Sequence, residues 1–232
     1  MVQFFAINGL INAIAALFLA VYLSVRCRGQ NICFTTMLLS LAMCIWSLGY
    51  WLWLSSSNFY DALFFSRILS IGSTLIPIFL VHWVIIFLKK EYSQRIFLKL
   101  GYVITFIFLL FGFSRYFIAG VEQVGVFPFW PQAGFLYTLY ISISYIGFLG
   151  YGLFLLGKHY LKENGLMRMR YRVIFYGLIV SAVGGFTNFP AWYGVPIPPF
   201  GNVLTTFFFI VCAYAIMNYR VHESYMRIFG RA

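Results

Sequence analysis

An arginine and a histidine stand in an apolar run, SRILSIGSTLIPIFLVHWVIIFLKK at residues 66–90, that holds no Asp or Glu. Arg67, Ser70, Thr74 and His82 are spaced by three, four and eight residues, which keeps them within one broad face of a helix. A charge facing lipid at depth is costly, so that face is expected to turn inward. Arg67 would there bind an anionic ligand group or pair with Asp61 or Glu122; its long stem also lets it snorkel outward. His82 comes just over one helical turn after Pro77, which removes a backbone hydrogen bond and kinks the helix. This marks the segment as a moving part. A neutral imidazole bonded to a neighbouring helix is the simpler role for His82, ahead of pH sensing.

Further along, Tyr137, Tyr140, Ser144 and Tyr151 recur at helical spacing, with hydroxyls suited either to a ligand or, more simply, to helix packing. Trp46, Tyr50 and Trp53 would line a pocket or join an aromatic belt at the membrane surface. Gly177, Ser181 and Gly185 stand four apart, as small residues do where two helices approach closely. The chain then turns through TNFPAWYGVPIPPFGN, where Asn188 precedes Pro190 and Pro198 and Pro199 suit the first turn of a following helix. Asn202 faces inward one turn later. With Trp192 and Tyr193, this corner is the best-defined polar and aromatic constellation in the chain.

Several chemistries lack their residues. Proton and ion pathways usually need carboxylates within the spans, and the five acids (Asp61, Glu91, Glu122, Glu163, Glu223) fall in loops or at span edges. The last lysine, Lys162, lies outside any late span, so a retinal Schiff base has no amine. His82, His159 and His222 show no HxxxH or HExxH spacing. A loose inner cluster of Cys27, Cys33, His159 and His222 matches no ligand-spacing motif. No Ser/His/Asp set can assemble within the membrane. No cofactor, metal or catalytic residue is expected, and the chain by itself is not expected to be an enzyme.

The elements that position these residues follow from composition. The chain of 232 residues is 62% hydrophobic and only 9% charged, outside the range of soluble domains. About 20 apolar residues span a bilayer as a helix, and basic clusters recur at about that interval. Seven spans are predicted, near 4–25, 31–54, 62–88, 100–118, 135–157, 173–190 and 198–217. The expected fold is an all-α integral membrane bundle, with a seven-helix domain over 1–217 and a short basic tail over 218–232. Arg26, Arg28, Lys89, Lys90, Arg95, Lys99, Lys158, Lys162 and the later arginines fall on one side, whereas Arg67 and Arg115 fall on the other. That asymmetry puts the N-terminus outside and the C-terminus in the cytoplasm, and it explains the net charge of +11 without nucleic acid. The first basic residue, Arg26, follows the first apolar run, so that span is expected to be retained as a reversed anchor rather than cleaved. The four cysteines, with no CxxC spacing, are expected to be free thiols. The long segment SRYFIAGVEQVGVFPFWPQAG cannot continue a helix at Pro128 and Pro131, and its aromatic residues are expected in the interfacial belt, ahead of a ligand-gating lid. The last span is expected to run on as a rigid lever.

CFTTMLLSLAMCIWSLGYWLW, RILSIGSTLIPIFLVHWVIIF and GGFTNFPAWYGVPIPPFGNVLTTFFFIVCAYAIMNYRV, in this order, resemble the N-terminal seven-helix sensor region of bacterial and archaeal histidine kinases. The matching positions are Trp46, Ser47, Arg67, Pro77, His82, Asn188, Pro198 or Pro199, Gly201, Asn202 and the AYAIMNYR exit. The resemblance implies a receptor in the cell membrane that passes a signal down its last helix to a cytoplasmic output, commonly a kinase. The chain ends soon after that exit, so the output is expected to be a severed domain or a partner kinase. A small, partly apolar ligand is expected to bind Arg67, Thr74, Asn188, Trp192, Tyr193 and Asn202, with Pro77 and His82 at the hinge. The other partners are the bilayer and, as an option, a second copy. An uncoupled transporter or channel and a membrane scaffold subunit are the alternatives.

Overall fold

The computed structural model describes residues 1–26, 30–209, 211, 212 and 214. The basic turn with Cys27, and the exit segment from residue 215 with His222 and the expected lever, lie outside the described residues. The helices are α1 (Val2–Arg26), α2 (Asn31–Leu54), α3 (Phe59–Phe87), α4 (Arg95–Phe111), α5 (Phe135–Lys162), α6 (Gly165–Phe186) and a last, shorter apolar α7 (Phe200–Phe209). Five of them, α1, α2, α3, α5 and α6 with its following turn, are long and apolar enough to cross a membrane. The chain is a multi-pass membrane protein. Whole helix faces carry exposed apolar residues, as lipid contact requires and water forbids. On α1 Ile7, Ile11, Ile14 and Phe18 are outward, while Ala13, Ala16 and Ala20 are buried. On α4 Leu98, Gly101, Thr105 and Phe108 form the buried stripe.

Two helix starts differ from expectation for local reasons. Asn58 caps α3: its side chain accepts from the Asp61 amide (2.9 Å) and its amide group donates to the Asp61 carboxylate (2.7 Å). This reciprocal cap, with an acid at the positive end of the helix dipole, starts α3 at Phe59 and commits Asp61 to the cap rather than to Arg67. The basic stretch GLMRMRYR, expected as an inner loop, is instead the first two turns of α6.

α2 and α3 touch backbone to backbone. A Cβ at Gly49 would lie 2.7 Å from the Leu69 backbone, and one at Gly72 would collide with the Trp46 amide and the Ala42 carbonyl. Close approach of this kind lets dispersion contacts hold helices together where lipid supplies no hydrophobic drive. The small residues of α6 act the same way: Gly177 packs on Val211, and Gly184 on Gly201 and Leu204.

The segment after α4 is not a surface belt. It forms an antiparallel hairpin of β1 (Ile118–Val124) and β2 (Phe127–Ala133), turning at Gly125 with φ +57°. Register shifts between Ile118 and Gly120 and between Glu122 and Val124 re-aim the buried side chains, a usual effect of bulges. Phe127 and Trp130 therefore plunge into the end of the bundle, 3% and 0% exposed. Trp130 stands edge-on to Trp53 (4.7 Å), and the Trp53 indole N–H donates to the Phe129 carbonyl (2.5 Å). The belt expectation is corrected: hydrophobic aromatics with one polar handle bury best where that handle finds a partner.

The cysteine expectation is corrected in part. Cys44 and Cys212 are free, but Cys33 is disulfide-bonded.

Gly72→Val should lower the unfolding midpoint in micelles by the equivalent of about 1–3 kcal/mol, the usual cost of overpacking. Gly150→Ala, where a Cβ meets nothing within 4 Å, should leave it unchanged or raise it.

Candidate functional site

At the hairpin end the helices line a partly open cavity of about 100 Å³, of the order of the ~150 Å³ apolar cavities that take up benzene. Five helices wall it. α2 contributes Met43, Trp46, Tyr50 and Trp53, and α3 contributes Leu69, Ser73, Ile76 and Leu80, each set at helical spacing. Tyr137, Tyr145 and Leu149 come from α5. Ser181, Gly185, Asn188 and Trp192 come from α6 and the single turn Phe189–Trp192 beyond it, and Thr205 and Phe208 from α7. Among the described residues, no charged side chain lines the wall.

The residues expected to bind ligand separate into two groups. Asn188 and Trp192 line the cavity, and Trp192 stacks on Tyr137 at 4.1 Å and 8°. Asn202, fully buried, lies directly behind: Asn188 Nδ2 donates to Asn202 Oδ1 (3.2 Å) and to the Gly185 carbonyl (3.1 Å). Arg67, Thr74 and Tyr193 are not wall residues. At 3.6 residues per turn, Arg67 falls on roughly the opposite side of α3 from Leu69, Ser73, Ile76 and Leu80. Its Nε is buried without a partner. Thr74 donates back to the Ser70 carbonyl of its own helix (2.7 Å). Tyr193 is half-exposed and shares a hydrogen bond with Thr138 (3.0 Å). His82 bonds Tyr102 on α4 through Nδ1 (2.7 Å), away from the cavity.

Pro77 organises a second feature. With no N–H, it leaves the carbonyl four residues back, that of Ser73, without its helical donor. Two tyrosines of α5 supply donors instead: the Tyr140 hydroxyl donates to Ser73 O at 2.6 Å and the Tyr145 hydroxyl at 3.2 Å. Both can reach it because Ile141–Leu149, the middle of α5, is a π-helix. Its i→i+5 bonding brings residues five apart onto one face, and such stretches recur at functional sites. Periodicity at 3.6 put Tyr137, Tyr140, Ser144 and Tyr151 together and so passed over Tyr145. Counting four back from the proline would have found Ser73.

A third feature ties α1 to α7. Asn12, fully buried in α1, donates from Nδ2 to Thr205 Oγ1 (3.2 Å), while Thr206 donates to its Oδ1 (2.8 Å). Thr205 in turn donates to the Asn202 carbonyl (2.7 Å). Asn12, the second of two asparagines in the apolar stretch INGLINAIAALF, was the available signal. α7 opens as a 3₁₀ helix over Phe200–Thr206, preceded by Pro199.

Residues 9–223 match the family described as the N-terminal 7TM region of histidine kinase. The chain belongs to that family. No curated protein and no solved structure matches it. Membership places this region on the sensor side of a histidine kinase, apart from the catalytic domain. The cavity, the proline-tyrosine junction and the asparagine ladder are thus features of a sensor region.

Tyr140→Phe should destabilise the protein by about 0.5–1.5 kcal/mol, the net value of such a hydrogen bond. In a Pro77→Ala background, where Ser73 regains a backbone donor, the loss should shrink. A double-mutant cycle on the unfolding midpoint reads this coupling, and additive effects would remove it.

Proposed function

We infer that this chain is the membrane-embedded input domain of a signalling system. It binds a small molecule in the cavity and transmits occupancy through α3 and α7 to a cytoplasmic kinase. In this reading seven helices cross a bacterial or archaeal cytoplasmic membrane, the hairpin caps the outer end, and the C-terminal end of α7 faces the cytoplasm. The chain itself performs no catalysis. The observation that carries the reading is the uncharged aromatic cavity walled by five helices, in a chain of the histidine-kinase sensor family.

Coupling has a physical route. A ligand shifts an equilibrium only by its differential affinity for the two states. Tyr145, a wall residue, shares the Ser73 carbonyl with Tyr140, so an occupant pressing on Tyr145 changes the support at the Pro77 gap. On the far wall, Thr205 and Phe208 belong to α7, so the same occupant bears on the helix that leads to the exit. Asn188 and Trp192 are retained as ligand-contact residues, with Asn202 as their support. Arg67 is proposed as a rim residue rather than the anchor of a ligand.

Two experiments test this. Single cysteines at Ser57 and Val126 should react with an impermeant maleimide on intact cells above the wild-type background, whereas cysteines at Ser93 and Asn164 should react only after permeabilisation; the reverse pattern would overturn the orientation. With the chain joined to a histidine-kinase output, Gly185→Leu, which fills the cavity from α6, should fix autophosphorylation at one level whatever is added. An unchanged response would separate the cavity from signalling.

A further inference from the structure

The cavity's chemistry narrows what occupies it. This step rests on the sensor reading above. Among the described residues the wall carries neither an acid nor a base, so an ion entering it would lose hydration without gaining a partner, at a cost far above what a small ligand recovers. A carboxylate is disfavoured because Arg67 stands on the other side of α3. A cation is disfavoured although aromatic faces attract one, because no carboxylate is near to balance it. Trp46, Trp53, Trp192 and Tyr137 supply flat apolar surface, which suits a flat apolar body.

The polar atoms specify more. Ser73 Oγ already donates to the Ser70 carbonyl, Ser181 Oγ to the Gly177 carbonyl and Thr205 Oγ1 to the Asn202 carbonyl. Each of these three aliphatic hydroxyls therefore has its hydrogen committed and offers lone pairs alone. Both Asn188 amide hydrogens are committed as well. One corner is left incomplete. Asn188 Oδ1, Asn202 Nδ2 and the Tyr50 hydroxyl are buried and meet no partner at full hydrogen-bond geometry; Tyr50 and Asn188 are wall residues, and Asn202 is close enough to Tyr50 for its Nδ2 to make a weak hydrogen bond to the phenol oxygen, which leaves the Tyr50 hydrogen and Asn188 Oδ1 open. Tyr50 and Asn188 are 2% and 6% exposed. Unpartnered buried polar groups are rare and costly. This corner offers an acceptor on Asn188 and a donor on Tyr50, a set complementary to a group that both gives and takes one hydrogen bond.

We propose that the cavity takes a small, neutral molecule with a flat apolar body and a single hydroxyl, an aryl alcohol or phenol in class, whose hydroxyl completes the corner of Tyr50, Asn188 and Asn202. The hydroxyl donates to Asn188 Oδ1 and accepts from Tyr50. The ring lies among the tryptophans, in reach of Tyr145.

The test uses the full chain in micelles and three probes of matched size: phenethyl alcohol, propylbenzene and phenylacetate. Saturable shifts in unfolding midpoint and in tryptophan fluorescence are followed, with Gly185→Leu, and Ala182→Phe should that variant misfold, as the filled-cavity reference for micelle partitioning. Phenethyl alcohol should bind most tightly, propylbenzene more weakly, and phenylacetate not at all. Tyr50→Phe and Asn188→Leu should each weaken the alcohol by about tenfold, the effect of losing one buried hydrogen bond, and leave propylbenzene unchanged. Phenylacetate binding as well as the alcohol, or the two variants losing alcohol and hydrocarbon alike, would overturn the neutral-hydroxyl proposal while the cavity reading stands. No saturable binding of any probe relative to the filled variants would overturn both.

Discussion

A backbone carbonyl in hydrocarbon has to find its donor inside the protein, and Pro77 removes the one that would serve Ser73. Much of the arrangement at the hairpin end follows from that constraint. The replacement donors sit on another helix, so α3 cannot be understood apart from α5. Both Tyr140 and Tyr145 reach the carbonyl because α5 gives up regular α-helical winding over nine residues. One helix accepts a break, its neighbour accepts a π-helical stretch, and the two irregularities meet beside the cavity. Irregular backbone at membrane depth is tolerated where protein or a cavity receives it, and here the cavity lies where the helices are least able to close on one another.

The opposite wall answers the same constraint with side chains. Asn12, Thr205, Thr206, Asn202 and Asn188 form a ladder from α1 across α7 to the end of α6. Hydrogen bonds of this kind in membranes average about 0.6 kcal/mol by double-mutant cycle, so the ladder fixes geometry more than it adds stability. Three of its members, Asn202, Thr205 and Thr206, occupy the 3₁₀ start of α7, where the helix is tightest and its backbone bonds are poorest. A wall made of short hydroxyls and amides with few alternative partners is one that a bound hydroxyl can bias. Glycine contacts at Gly184 and Gly201 hold α6 and α7 together just beside it.

The sequence made some of this visible and hid the rest for identifiable reasons. Span number two, Asn31–Leu54, is legible to the residue because a continuous apolar run is bounded by a polar turn and by the serines after Leu54. The Asn188–Asn202 pair was legible because asparagine is expensive in hydrocarbon and the prolines fix the turn between its two members. Arg67 misled: a cation in an apolar run points to function by default, but Leu69, Ser73, Ile76 and Leu80 define the cavity side of α3, and no rule of spacing reveals which of two inward faces meets a void. The hairpin was hidden because its alternation is broken twice by bulges, leaving burial at Ile118, Val121 and Val124 in steps of three. Tyr145 was hidden because periodicity arguments presume 3.6 residues per turn where the chain is wound more widely.

The two ends of the bundle differ in a way that bears on receptor against conduit. The cavity's floor is built from Met43, Leu80, Leu149, Leu178 and Phe208, all of which belong to one continuous apolar cluster. That cluster runs on through Ile78, Val81, Trp83, Val84, Ile85, Leu156 and Ile174, each fully or almost fully buried. Trp83 is pinned by its indole N–H to Thr36 (2.9 Å) and stacked on Phe87 at 6°. A solute leaving the cavity downward would have to part large, close-packed side chains. A transporter binds at the interface of two repeats and opens alternately to both sides; here the chain shows no internal repeat, and one end is packed like a domain core. A void that passes into a solid core at one end offers an occupant no way through, which fits the proposed input role better than that of a conduit.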